Sequence, residues 1–113
     1  MKELRRQIVI SLIPKINGTI GNLLQDTQHT DSETVIHFGR LIKSPEIHLY
    51  GDTAKYLTKD NYLTVLLIMD NENLTILKQF NKGPLIVSYD RPLKEVDVDD
   101  TFNELCKAIG YKY

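Results

Sequence analysis

Three histidines, His29, His37 and His48, and one cysteine, Cys106, are the side chains of this 113-residue chain best suited to ligate a metal, move a proton or attack a carbonyl. An imidazole works as a general base when a carboxylate holds its second nitrogen. His37 faces Asp52 in the hairpin register derived below, which makes that pair the leading candidate for acid–base chemistry, with Tyr50 as a further donor and Arg40 to hold an anion. His48 falls opposite Leu41 in the same register. It is therefore displaced from His37 by roughly 13 Å at ~3.3 Å per residue, too far to share an ion. His29 sits with Asp26 and Asp31 in a polar stretch that reads as a solvated loop. Cys106 lies on an apolar helical stripe, where the expectation is burial as a small hydrophobe rather than nucleophilic duty. The run Asn17-Gly18-Thr19-Ile20-Gly21-Asn22 has neither the preceding strand nor the Lys-Ser/Thr of a phosphate loop. These residues point to no metal and no cofactor.

The same hairpin offers a binding surface. His37, Arg40, His48, Tyr50, Asp52 and Tyr56 gather on or near its polar side, and Arg and Tyr are favoured interface anchors. By parity Arg40 belongs to the apolar side, so it either snorkels to the edge or marks where the core ends.

The elements that must position these residues are organised around Tyr62 to Met69 (YLTVLLIM), the run that is apolar on both alternating faces and hence the expected central strand. Upstream, Leu4, Ile8, Leu12, Ile16, Ile20, Leu23 and Leu24 recur at helical spacing, with Pro14 expected to kink or split the helix. Residues Gln7 to Ile13 also alternate and would serve as a strand, but the Lys-Glu-Leu-Arg-Arg entry favours helix. Gln25 to Glu33 carries no apolar residue and reads as a loop. Thr34 to Ile42 and Glu46 to Gly51 form the expected hairpin, with Ile42 opposite Ile47, and Asp52 to Leu57 a short helical turn capped by Asp52. Asp70-Asn71-Glu72-Asn73 is a turn pairing Met69 with Leu74. Leu85 to Tyr89 is a further strand, apolar on both sides and so expected inside the sheet. The last element is a helix with Phe102, Leu105, Cys106 and Ile109 on one stripe, Thr101 and Glu104 at capping-box spacing, and Gly110 to end it.

The expected fold is thus a single α+β domain over residues 1–113, mainly an antiparallel sheet of about five strands flanked by N-terminal and C-terminal helices, in the order α-β-β-(short α)-β-β-β-α. Fourteen basic against fifteen acidic residues give a net charge of −1, which disfavours binding to a phosphate backbone. No stretch reaches the ~18 apolar residues of a membrane span, and the single cysteine suits a reduced, cytoplasmic setting. The expected function is a small non-enzymatic protein-binding or assembly module that self-associates through a sheet edge or the first helix. If both helices cover one side of the central strand, its other side is left for a second copy. The alternatives are a small hydrolase-like enzyme using His37 and Asp52, and a structural subunit of a phage or mobile element or an immunity protein.

Overall fold

Helix α1 (Lys2–Asn17) forms where the stripe predicts it, burying Arg5, Ile8, Leu12 and Ile16 along one face. Residues Gln7 to Ile13 are therefore helical and not a strand. Pro14 lies inside the helix without ending it; the chain leaves helical geometry at Asn17, as the Gly18 amide donates to the Pro14 carbonyl (3.1 Å) and Ile20 to Ile16 (2.9 Å). Ile20 is fully buried beyond this turn, and a single 3-10 turn over Gly21–Leu23 hands the chain to the sheet. The computed structural model describes residues 2–42 and 61–111. The second arm of the expected hairpin, Glu46 to Gly51, and the turn Asp52 to Leu57 lie outside the described residues.

Among the described residues five antiparallel strands follow in simple meander order, β1 (Leu24–His29), β2 (Glu33–Ile42), β3 (Asn61–Asp70), β4 (Asn73–Phe80) and β5 (Ile86–Pro92). Strand β1 replaces the expected loop at Gln25 to Glu33. It is an edge strand with no buried residue, so its polar sequence follows from position: hydrogen bonds to β2 specify it, not an apolar face. Only Thr30 to Ser32 remain as a turn, held by the Thr30 hydroxyl, which accepts from the Ser32 (3.2 Å) and Glu33 (3.0 Å) amides. Strand β3 is central, as its two-sided apolarity implies. Strand β5, by contrast, takes the second edge rather than the interior; a bulge opposite Ile76 and Leu77 and the terminal Pro92 suit it to that place.

The β3–β4 turn matches the expected register, with Met69 opposite Leu74. Asp70 makes that turn: one carboxylate oxygen accepts from the Glu72 and Asn73 amides, both at 2.7 Å. Those two bonds hold its pKa below the usual aspartate value. Helix α2 (Val98–Ile109) is capped by Asp97, whose side chain accepts from the Asp100 amide at 2.9 Å. The cap thus stands four residues before Thr101, which is fully buried inside the helix and not at its entrance. Gly110 ends the helix in the left-handed region (φ 77°), its amide returning to Cys106 and Lys107.

Both helices lie on one face of the sheet. Leu12 and Ile16 of α1 and Leu105, Cys106 and Ile109 of α2 share one core with Ile36 and Phe38 of β2, Leu63, Val65, Leu67 and Met69 of β3, and Leu74, Ile76 and Phe80 of β4. An ion pair from Lys15 to Asp99 (2.7 Å) joins the helices at the surface. The result is a two-layer α+β domain. Among the described residues no helix is long and apolar enough to cross a membrane.

The Asp70 turn has a pH signature. Its native pKa is depressed, so its contribution is complete above the unfolded value of about 4 and is lost as pH falls through the native one. We expect Asp70→Asn, which keeps the accepting oxygen, to flatten the loss of stability between about pH 4 and pH 2 in urea unfolding, with little change at pH 7. An unaltered pH slope would assign that acid sensitivity elsewhere.

Candidate functional site: the outer face of the sheet

With both helices on the inner face, the alternate residues of each strand form an outer face that no helix among the described residues covers. On β2 these are Val35, His37, Gly39 and Leu41; on β3 Tyr62, Thr64, Leu66 and Ile68; on β4 Thr75, Leu77 and Gln79. Leu41 is 70% exposed, Tyr62 38%, and Val87 on β5 62%. Val35, Leu66, Ile68 and Leu77 are half-buried. No outward position on these stretches of β2, β3 and β4 carries a charge. Charge appears at the margins, as Asp26 on β1 and Asp90 on β5, the latter accepting from the Thr75 hydroxyl (3.1 Å).

His37 stands within this face. Its ladder neighbours are Asp26 on β1 and Leu66 on β3, so both sides of its backbone are occupied and the register that set Asp52 opposite it does not form there. The carboxylate beside His37 is Asp26, which accepts from Gln28 at 3.2 Å rather than from the imidazole. The His37 Nε2 atom is buried without a hydrogen-bond partner, an unusual condition for a polar atom at the edge of an apolar patch.

Arg40 belongs to the opposite face, as parity requires. Its Nη1 donates to the carbonyls of Ile109 (3.2 Å) and Gly110 (3.4 Å), satisfying the C-terminal end of α2 where a cation also suits the helix dipole. His37 and Arg40 therefore do not share a surface. His48, Tyr50, Asp52 and Tyr56, the other expected site residues, lie outside the described residues. His29 and Asp26 likewise separate: His29 pairs with Thr34, whose side chain is inward and accepts or donates at 3.2 Å, while Asp26 is outward beside His37. Among the described residues no three His, Cys, Asp or Glu side chains converge to hold a metal. Cys106 is 1% exposed in the core, and that burial pushes its thiol pKa up, away from the reactive thiolate.

Tyr62, Leu66, Ile68 and Leu77 form the second apolar side of the central strand and its partner, the side that the amino-acid order leaves for a second copy, and Leu41 and Val87 extend it. Tyr62 also explains Gly39: its ring lies diagonally over the glycine, and a Cβ there would come within 2.7 Å of Tyr62 Cζ. Glycine weakens a strand on its own account, so the aromatic cover is what makes it acceptable. Comparison of the chain with protein-family models, with curated proteins and with solved structures gives no match in any of the three.

The Gly39–Tyr62 contact predicts a change of sign. Gly39→Ala should destabilise the protein when Tyr62 is present, and should be neutral or stabilising by up to about 1 kcal/mol in a Tyr62→Ala background, where only strand propensity remains. A double-mutant cycle by urea unfolding measures it; additive effects would mean that the ring and the glycine are not coupled.

Proposed function

We propose that this chain is a non-enzymatic protein-binding module whose partner is a second copy of itself, docked through the outer face of the sheet. The observation that carries the reading is the charge-free, partly apolar centre of that face, rimmed by Asp26 and Asp90. An apolar centre depleted of charge inside a polar rim is how protein interfaces are built. A solvated antiparallel face ordinarily alternates to polar residues, and β3 does not: its outward Tyr62, Leu66 and Ile68 are separated by a single Thr64.

A second copy is favoured over other occupants on size and charge. Five strands at ~4.8 Å spacing and about eight residues at ~3.3 Å give a face of roughly 500 Å² before side-chain relief is counted, approaching the ~800 Å² per partner of a standard interface. Two such faces related by a twofold axis meet without opposed charges at their centres, and the rim acids remain in water. The area sits at the lower end of the range, so the association is expected to be reversible and concentration-dependent. Both sheet edges are poor alternatives: β1 carries a bulge and Asp26, and β5 a bulge with Arg91 and Pro92. The subunit and immunity readings of the sequence require a face of this kind and are not distinguished by it. Among the described residues His37 stands beside Asp26 and Leu66 with its Nε2 unpartnered, which supplies the enzyme reading with no acid–base pair.

Sedimentation equilibrium across micromolar to millimolar concentration tests the proposal. The wild-type protein is expected to show a monomer–dimer equilibrium, and the pair Leu41→Lys and Val87→Asp, both at exposed positions, should weaken it at least tenfold while leaving thermal stability within a few degrees. A wild-type protein that stays monomeric throughout would overturn the reading. So would a Leu41→Lys variant that loses stability without altering sedimentation, which would assign the cover of the face to the same chain.

A further inference from the structure

The outer face holds one residue that an apolar interface centre does not call for. His37 enters it from β2, flanked across the ladders by Asp26 on β1 and Leu66 on β3. Its outward neighbours on β2 are Val35 and Gly39, the glycine lying under the Tyr62 ring. Beyond Leu66 the next outward side chain is Leu77 of β4. The helices pack on the other face, so neither α1 nor α2 turns a charged group toward the imidazole. Among the described residues the ionised groups on its own face are all acids. Asp26 is beside it, Asp90 is three strands away on β5, and Glu33 and Asp70 stand at the far end of β2 and β3, roughly 13 Å along the strand at ~3.3 Å per residue.

The His37 Nε2 atom has neither solvent nor a hydrogen-bond partner. A neutral imidazole tolerates that placement, because one of its two nitrogens carries no proton and needs no acceptor. An imidazolium does not. Both of its nitrogens are donors, and a charged donor buried without an acceptor is among the costliest groups in a protein. Charging the ring therefore requires it to swing away from the sheet, toward water and toward Asp26. Asp26 is exposed, and its carboxylate accepts from Gln28 at 3.2 Å. The space into which the ring would swing is the space that a second copy docked on the face would fill.

We infer that His37 makes the self-association of this chain pH-dependent: the dimer encloses two neutral imidazoles, and protonation of either ring releases the monomers. The inference rests on the dimer reading given above. Docking expels the protons that the rings carry, so the dimer is complete above the ordinary imidazole titration and weakens as pH falls through it. Twofold symmetry sharpens the response, since each dimer holds two such rings. At one pH unit below the ordinary imidazole value of about 6.5, roughly ten rings are charged for each neutral one, and two rings raise the dissociation constant by up to about 100-fold. Carboxylates titrate near pH 4, so the acids on the face keep their charge across this interval. His29, the other described imidazole, lies on the inner side of β1 against the Thr34 hydroxyl at 3.2 Å and takes no part.

The test is sedimentation equilibrium of the full chain at about pH 8 and about pH 5.5, at constant ionic strength. The wild-type dissociation constant is expected to rise at least tenfold at the lower pH while the protein stays folded. His37→Gln, polar but never charged, should dimerise within about twofold equally at both, whereas His29→Gln should keep the wild-type response. If His37→Gln does not fold, the imidazole NMR signals of the wild-type protein decide. The titration midpoint of His37 should lie at lower pH in millimolar than in micromolar protein, and that of His29 should not move. A dimer equally tight at both pH values, a pH response that survives His37→Gln, a His37 midpoint indifferent to concentration, or unfolding at the lower pH would each overturn the inference and leave the dimer itself standing. A chain that is monomeric at the higher pH would remove both.

Discussion

The register of β3 against β2 is the constraint on which the rest of the molecule depends. The two strands are paired continuously from Glu33 opposite Asp70 to Ile42 opposite Asn61. Side chains alternate with a period of two, so a slip of one residue would turn Leu63, Val65, Leu67 and Met69 outward and bring Tyr62, Thr64, Leu66 and Ile68 under the helices. Both sets are apolar enough that hydrophobicity alone discriminates weakly between them. Local chemistry adds the discrimination: Asp70 ties the turn to β4 through two amides, and Arg40 ties the far end of β2 to the carbonyls that end α2. Once that register holds, Thr34, Ile36 and Phe38 fall on the same side as the β3 set, and the helices have one face on which to pack.

One-sided packing in turn decides what is left for function. A sheet with helices on both faces would have used the second apolar side of β3 in its own core, whereas here that side is turned away from both helices. The helices also meet the sheet unequally. They cover its middle strands closely, while at β1 a gap remains between His29 and Thr30 and the basic residues of α1. The two surfaces thus have opposite origins, one from an excess of apolar residues on a central strand and the other from a shortage on an edge strand.

Those origins also explain which parts of the structure the amino-acid order conveys. The β3–β4 pairing follows from an acidic turn sequence between two apolar runs, and the end of α2 from a glycine that alone accepts φ 77° without strain. Strand β1 has no comparable mark, since an edge strand held by backbone hydrogen bonds needs no apolar rhythm and Gln25 to His29 supplies none. Strand β5 misleads in the other direction: Leu85, Ile86 and Val87 look interior, yet Leu85 and Val87 are exposed at the edge. The cap of α2 was within reach at Asp97, but Thr101 with Glu104 imitates the same spacing one turn later. At the candidate site, the parity of Arg40 foretold its side of the sheet, whereas the neighbour of His37 depended on β1 and was hidden with it.

The pairing of Ile42 with Asn61 has a bearing on how such a chain can vary. The two ends of residues 43–60 are ladder neighbours, so the sheet presents the connecting chain with a fixed and very short span to close. Closure entropy over a fixed span rises only logarithmically with length, by ~0.6 kcal/mol for each doubling. As far as closure entropy goes, a change in the length of residues 43–60 costs the β2–β3 ladder little. In that sense the open end of the central hairpin is a port, a place where chain can be lengthened at small entropic cost.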